Sequence, residues 1–147
     1  MFRKLLVCVD GSASSLKAVH AAMEIARKFD SKIILLNVFD PSVVHAAATP
    51  LPDAPLATAT NDGCYAREME KRSLQEARAA FDGSGLAYCA FTEIGHPVDR
   101  ILAAAHDMEA DLIIMGKRGN GGFDKLLLGS VSDGVLSHAH CTAMIVQ

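Results

Sequence analysis

From Met115 to Ser132 the chain reads Met-Gly-Lys-Arg-Gly-Asn-Gly-Gly-Phe-Asp-Lys-Leu-Leu-Leu-Gly-Ser-Val-Ser, a combination suited to holding phosphate. Glycines let the backbone approach a ligand closely and turn successive N–H groups toward one anion. A helix beginning at Gly129-Ser130 adds unpaired N–H groups and the positive end of its dipole. Ser130 and Ser132 bring hydroxyl donors. Lys117, Arg118 and Lys125 make this the most cationic stretch of a chain whose formal net charge is −3. The spacing excludes two common phosphate loops. A P-loop requires Lys followed by Ser or Thr, and neither Lys117 nor Lys125 is so followed. A dinucleotide fingerprint starting at Gly119-Asn120-Gly121 would need glycine where Asp124 stands. The segment instead fits G-x2-G-x9-G-S/T, at Gly116, Gly119, Gly129 and Ser130.

A second candidate lies near the N-terminus. Asp10 ends the apolar run Leu5–Val9 and precedes Gly11-Ser12, which puts a carboxylate at a strand's carboxyl end, where open α/β sheets bind ligands. The alternative is local: Asp10 and Ser12 capping the next helix. Ser130 has the same two readings, helix cap or phosphate ligand, and Gly116 and Gly119 have a plain role as turn glycines. His138-x-His140-Cys141 contains metal-ligand residue types but has no second ligand pair nearby. Cys8, Cys64, Cys89 and Cys141 form no CxxC pair. Cys8 and Cys89 fall in strand segments and read as small buried hydrophobes, with Met115 and Met144 as core residues. No general base, second carboxylate beside Asp10, or Lys-Ser pair announces phosphoryl transfer. A binder or switch is therefore expected ahead of a dedicated enzyme, with ATP hydrolysis slow at most.

These residues need a scaffold, and the apolar pattern supplies one. Strand-like runs occupy Leu5–Val9, Ile33–Val38, Leu86–Ile94, Leu112–Met115 and Ala143–Val146. Helical spacing of apolar residues marks Ser14–Phe29, Glu68–Phe81, Val98–His106 and Ser130–Leu136, with Pro97 suited to a first turn. Strands and helices alternate strictly, and the strands are apolar on both sides. That is the pattern of an α/β, doubly wound parallel sheet covered by helices on both faces. The pattern leaves the strand order open. One segment, Asp40–Gly63, breaks the rhythm with four of the five prolines, and reads as a surface excursion or as a lid over a ligand.

The 147 residues suit a single domain spanning residues 1–147. Half are apolar and 21% are charged, which excludes a disordered chain. A net charge of −3, 5% aromatics and no Trp argue against a nucleic-acid surface. The start, MFRKLLVCVDGS, has too short an apolar run for a signal peptide, and no run approaches membrane-spanning length. The expectation is a cytoplasmic protein with no membrane and no nucleic-acid partner.

The chain resembles the universal stress protein family, in its ATP-binding branch. The resemblance rests on Val9-Asp10-Gly11-Ser12, Leu36-Asn37-Val38, Gly95-His96-Pro97 and the glycine motif with its Gly-Gly-Phe and Leu-Leu-Leu-Gly-Ser-Val-Ser-Asp runs. It covers nearly the whole length and fails in Asp40–Gly63. It implies a five-stranded sheet in the order 3-2-1-4-5, Rossmann-like and of the adenine-nucleotide alpha-hydrolase-like kind. It also implies ATP, with or without Mg²⁺, and a homodimer, for which the apolar C-terminal edge strand is the natural seam. Carried over by position, Val38 would meet the adenine through its backbone, and Asp10 would sit near the ribose and any bound metal. Gly116, Arg118, Gly119, Gly121, Gly122 and Gly129, with Ser130, Val131 and Ser132, would hold the ribose and phosphates. Two positions depart from the family: Cys141-Thr142 stands where members often have Pro, and Cys8 lies beside the adenine position. Two rival functions remain: a nucleotide-free dimeric interaction protein of the same family, and an adenine-nucleotide-dependent enzyme. The enzyme reading would call for HxGH or SGGxDS at the first strand, and Asp10-Gly11-Ser12-Ala13 supplies neither.

Overall fold

The computed structural model describes residues 1–42, 62–118 and 128–147, apart from the side chains of 62–66 and 69. In chain order they form β1 (Lys4–Cys8), α1 (Ala13–Phe29), β2 (Lys32–Phe39), α2 (Asp62–Ala80), β3 (Tyr88–Ile94), α3 (Pro97–Asp107), β4 (Leu112–Gly116), α4 (Ser130–His138) and β5 (Thr142–Val146). Each element expected from the apolar pattern is present, most with ends shifted by one or two residues. Helix α2 starts earlier, at Asp62, because Cys64-Tyr65-Ala66 are consecutive and lack the three-to-four spacing that marks a helical stripe. Most of Asp40–Gly63 lies outside the described residues.

The five strands pair in parallel in the order β3-β2-β1-β4-β5, as the resemblance implied. β1 is central because its side chains are wanted on both faces. Leu5, Val7 and Val9 pack under α1 and α2 with Ala18, Val19, Ala22, Leu74 and Ala77. Leu6 faces the other way, into the layer of α3 and α4 with Ile101, Ala104, Ile113 and Val135. Leu5, Leu6, Leu35, Leu112, Ile113 and Ile114 are almost wholly removed from solvent. Burial of that kind contributes about 1.5–3 kcal/mol for each large side chain.

Helix ends are fixed by local chemistry. α1 begins with Ser12 as N-cap, its Oγ accepting the Ser15 N–H at 3.1 Å, and stops where Asp30 turns left-handed at φ 55°. α3 starts with Pro97 in its first turn and closes with Ala110 N–H donating to Ala105 O at 2.8 Å and Glu109 N–H to His106 O at 3.0 Å. α4 crosses α3 closely at Gly134, where a β-carbon would come within 2.8 Å of Val98 Cγ2.

Two expectations about the core are corrected. Cys89 and Met144 are exposed, not buried. Both lie on the sheet's outer strands, β3 and β5, which have a neighbour on one side only and are less fully covered by helices. Cys8, on central β1, is only partly open to solvent.

Candidate functional site

All five strands run the same way, so their carboxyl ends share one edge. The chain leaves β1 for α1 on one face and leaves β4 for α4 on the other. Neighbouring strands whose connections depart to opposite faces open a crevice between them, the usual ligand position in such sheets. Asp10, Val38, Gly116, Arg118, Gly129, Ser130, Val131 and Ser132 all lie along this edge. Gly119, Gly121 and Gly122, with Lys125, lie outside the described residues.

On the β1 side a tight turn presents Asp10. Its Oδ1 accepts the Ser12 N–H at 2.9 Å, and Ser12 caps α1, so Asp10 supports the start of the helix while it stays half-buried at the strand's carboxyl end. Gly11 makes the turn with φ 79°, and a β-carbon there would stand 3.1 Å from Ser73 Cα on α2. Only glycine combines that conformation with so close a neighbour. Below the turn, the Asn37 side chain donates from Nδ2 to Val9 O at 2.8 Å, tying the ends of β1 and β2 together. Asn37 is buried. Its positioning role went unread in the sequence, although a lone amide in the apolar run Ile33–Val38 was the available signal.

On the β4 side, Gly116 allows close packing: a β-carbon would lie 2.7 Å from the carbonyl carbon of Ser14 at the start of α1. The chain then turns back, with Lys117 N–H donating to Val146 O at 2.8 Å and Gly129 N–H donating to Lys117 O at 2.9 Å. Lys117 Nζ points toward Gln147 Oε1, 3.4 Å away, beside β5. Gly129, not Ser130, is the N-cap of α4, and it has no side chain to satisfy the first turn. The ladder of α4 starts with Asp133 N–H donating to Gly129 O at 2.9 Å. The N–H groups of Ser130, Val131 and Ser132 precede it, as the first ones of any helix do. Ser130 is exposed at this end, whereas Ser132 is buried and its hydroxyl donates to Gly116 O at 2.9 Å. Two serines two residues apart therefore have different surroundings: one open, one a bolt between helix and strand.

Among the described residues no group of three His, Cys, Asp or Glu side chains is placed to hold a metal ion. His138 Nδ1 lies 2.8 Å from Gly134 O, one turn back in its own helix. Mg²⁺ commonly takes one carboxylate, with phosphate oxygens and waters completing its shell, and a single Asp10 fits that donor set. The Cys8 thiol is pushed up to about 12, by burial first and by the charge of Asp10 second. It is thus a neutral thiol, not a nucleophile, at neutral pH.

Comparison with known proteins agrees with this architecture. The model of the universal stress protein family matches residues 1–147. A universal stress protein of Methanocaldococcus jannaschii is 28% identical over 153 residues, which span all of this chain and 83% of the relative. Among solved structures, a universal stress protein in complex with cAMP is similar at 27% identity and a TM-score of 0.67, with 99% of this chain and 97% of that one covered. A hypothetical protein whose biochemical function was assigned from its structure shares the fold at a TM-score of 0.82 and 22% identity, with 99% and 96% of the two chains covered.

Proposed function

The chain belongs to the universal stress protein family, and from that premise we propose that it is an ATP-binding protein whose nucleotide lies across the carboxyl ends of β1 and β4. The observation that carries this reading is the convergence at one crevice of the open first turn of α4, the backbone at Gly116 and Gly129, and the Asp10 carboxylate. The cAMP-bound relative supports an adenine nucleotide as the ligand class. In this reading the triphosphate meets the N–H groups of Ser130, Val131 and Ser132 and the Ser130 hydroxyl, with Gly119, Gly121, Gly122 and Arg118 completing the loop side. Val38 offers its backbone to the adenine. Asp10 faces the ribose and shares Mg²⁺ with the phosphates when that ion is bound.

No general base is among these residues, so the protein acts as a nucleotide-occupied switch or binder with at most slow hydrolysis, in the cytoplasm, as one domain, in stress adaptation. Titration calorimetry tests the reading. Ser130→Ala deletes one hydroxyl donor to a charged group, worth about 1.5–3 kcal/mol, or a ten- to hundredfold loss of ATP affinity. Adenosine affinity should hardly change, because adenosine has no phosphate. A parent protein that binds no ATP at millimolar concentration would overturn the proposal and leave the nucleotide-free dimer as the better account.

A further inference from the structure

A cavity of about 190 Å³ opens at the amino edge of the sheet, at the pole opposite the crevice. It lies on the α3/α4 face, between the end of α3, the start of β4 and the connection from α4 to β5. Ala105, Ala110 and Ile113 are buried and form its floor. The two alanines leave a hollow that larger side chains would fill. The rim is of another kind: His106, Glu109 and His140, all exposed, and the half-buried Cys141. The bonds that close α3 fix these walls, with Ala110 N–H donating to Ala105 O at 2.8 Å and Glu109 N–H to His106 O at 3.0 Å. Glu109 takes a left-handed φ of 51° at this turn. The walls are thus set by the fold itself, before any ligand arrives.

Size and charge select the ligand. An apolar cavity of about 150 Å³ holds a benzene-sized molecule, so this one takes a single ring with a small substituent and is too small to bury a nucleoside. The rim carries little free charge. The Glu109 carboxylate is paired with Lys4 Nζ at 3.1 Å, and the His106 ring stands 3.4 Å from the Asp107 carboxylate. Burial raises the Cys141 thiol above its ordinary pKa, which leaves a neutral, polarisable sulfur in the wall. A neutral imidazole has one acceptor and one donor nitrogen, and a hydroxyl group satisfies either. Among the described residues no hydrogen bond or ion pair engages His140.

We infer that this cavity is a second ligand site, for a small neutral aromatic molecule carrying a hydroxyl group, with the ring on Ala105, Ala110 and Ile113 and the hydroxyl on the histidine rim. The inference does not rest on the nucleotide reading. Helix α4 begins at the crevice, and its nine residues, at about 1.5 Å each, put its other end about 13 Å away, beside the cavity. One small ligand cannot touch both.

Phenol is the probe, titrated into the whole isotope-labelled chain and followed by backbone amide shifts in NMR spectra. Saturable shifts are expected at residues 102–113 and 139–142, with a dissociation constant of about 1 mM or tighter that saturating adenosine leaves unchanged. Benzene should bind at the same place at least about threefold more weakly, because it lacks the hydroxyl. Ala105→Leu fills the hollow and should weaken phenol at least about tenfold. The double variant His106→Ala with His140→Ala alters only exposed side chains, so it keeps the test open even where Ala105→Leu fails to fold. It should bring phenol down to the affinity of benzene. The inference is overturned by the absence of saturable shifts at about 10 mM phenol, or by shifts centred on the carboxyl ends of the strands. Displacement of phenol by adenosine would overturn it too, as would parent-like phenol binding by a folded Ala105→Leu protein or by the double histidine variant.

Discussion

Replacing Ser132 by Ala separates a structural serine from a ligand-binding one. The Ser132 hydroxyl is buried and donates to Gly116 O at 2.9 Å, joining the first turn of α4 to the end of β4. Alanine leaves the shape almost unchanged but strips a buried carbonyl of that donor, which costs about 1–3 kcal/mol. For a chain of this length each kcal/mol moves Tm by about 2–4 °C, so a fall of about 2–12 °C is expected. The assay is thermal unfolding followed by circular dichroism without nucleotide, with Ser130→Ala measured alongside. Ser130 is exposed and is not the cap of α4, so its loss should stay within about 0.5 kcal/mol. ATP affinity should show the opposite ranking, with Ser130→Ala the more damaging change. Unaltered Tm in Ser132→Ala, or a larger loss in Ser130→Ala, would refute the assignment of bolt and ligand.

Gly11→Ala should destabilise by about 1–3 kcal/mol in urea unfolding, since it forces a β-carbon into a left-handed turn 3.1 Å from Ser73 Cα; unchanged stability would contradict that turn. The Asp111 carboxylate accepts from the backbone N–H groups of Lys4 and Arg3, which hold its pKa below the ordinary carboxylate value. A lowered folded-state pKa gives stability that is present above the unfolded value and lost as pH falls through the folded one. Stability of Asp111→Asn should therefore fall less steeply on acidification below about pH 4 than that of the parent, and identical acid limbs would refute the link. Sedimentation should show a dimer at micromolar concentration, paired through the exposed edge of β5, and a species of 15.6 kDa alone would exclude it.

The fold was legible because its signals are local and repeated. Runs such as Ile33–Val38 have the length and composition of a strand buried on both faces, and glycine or proline punctuation separates them. Strand order came from the resemblance, because apolar periodicity is the same for any order of equally buried strands. The positions of Asp10 and Gly116 at strand ends and of Gly129 at a helix start were legible from their residue types. The different surroundings of Ser130 and Ser132 were not, because burial of a hydroxyl depends on which side of a short helix meets the sheet. Asn37 was hidden for a related reason: its partner, Val9 O, is 28 residues away in sequence. Cys89 and Met144 looked like core because a strand's composition does not reveal that it lies at an edge.

The central claim is that ATP lies over the β1/β4 ends with its phosphates at the start of α4, and a crystal structure grown with ATP and Mg²⁺ tests it most directly. The account predicts phosphate oxygens within hydrogen-bonding distance of the N–H groups of residues 130–132, the base against Val38, and Asp10 on the ribose and metal side. A nucleotide bound elsewhere on the chain, or an ordered crevice empty at millimolar ATP, would contradict it.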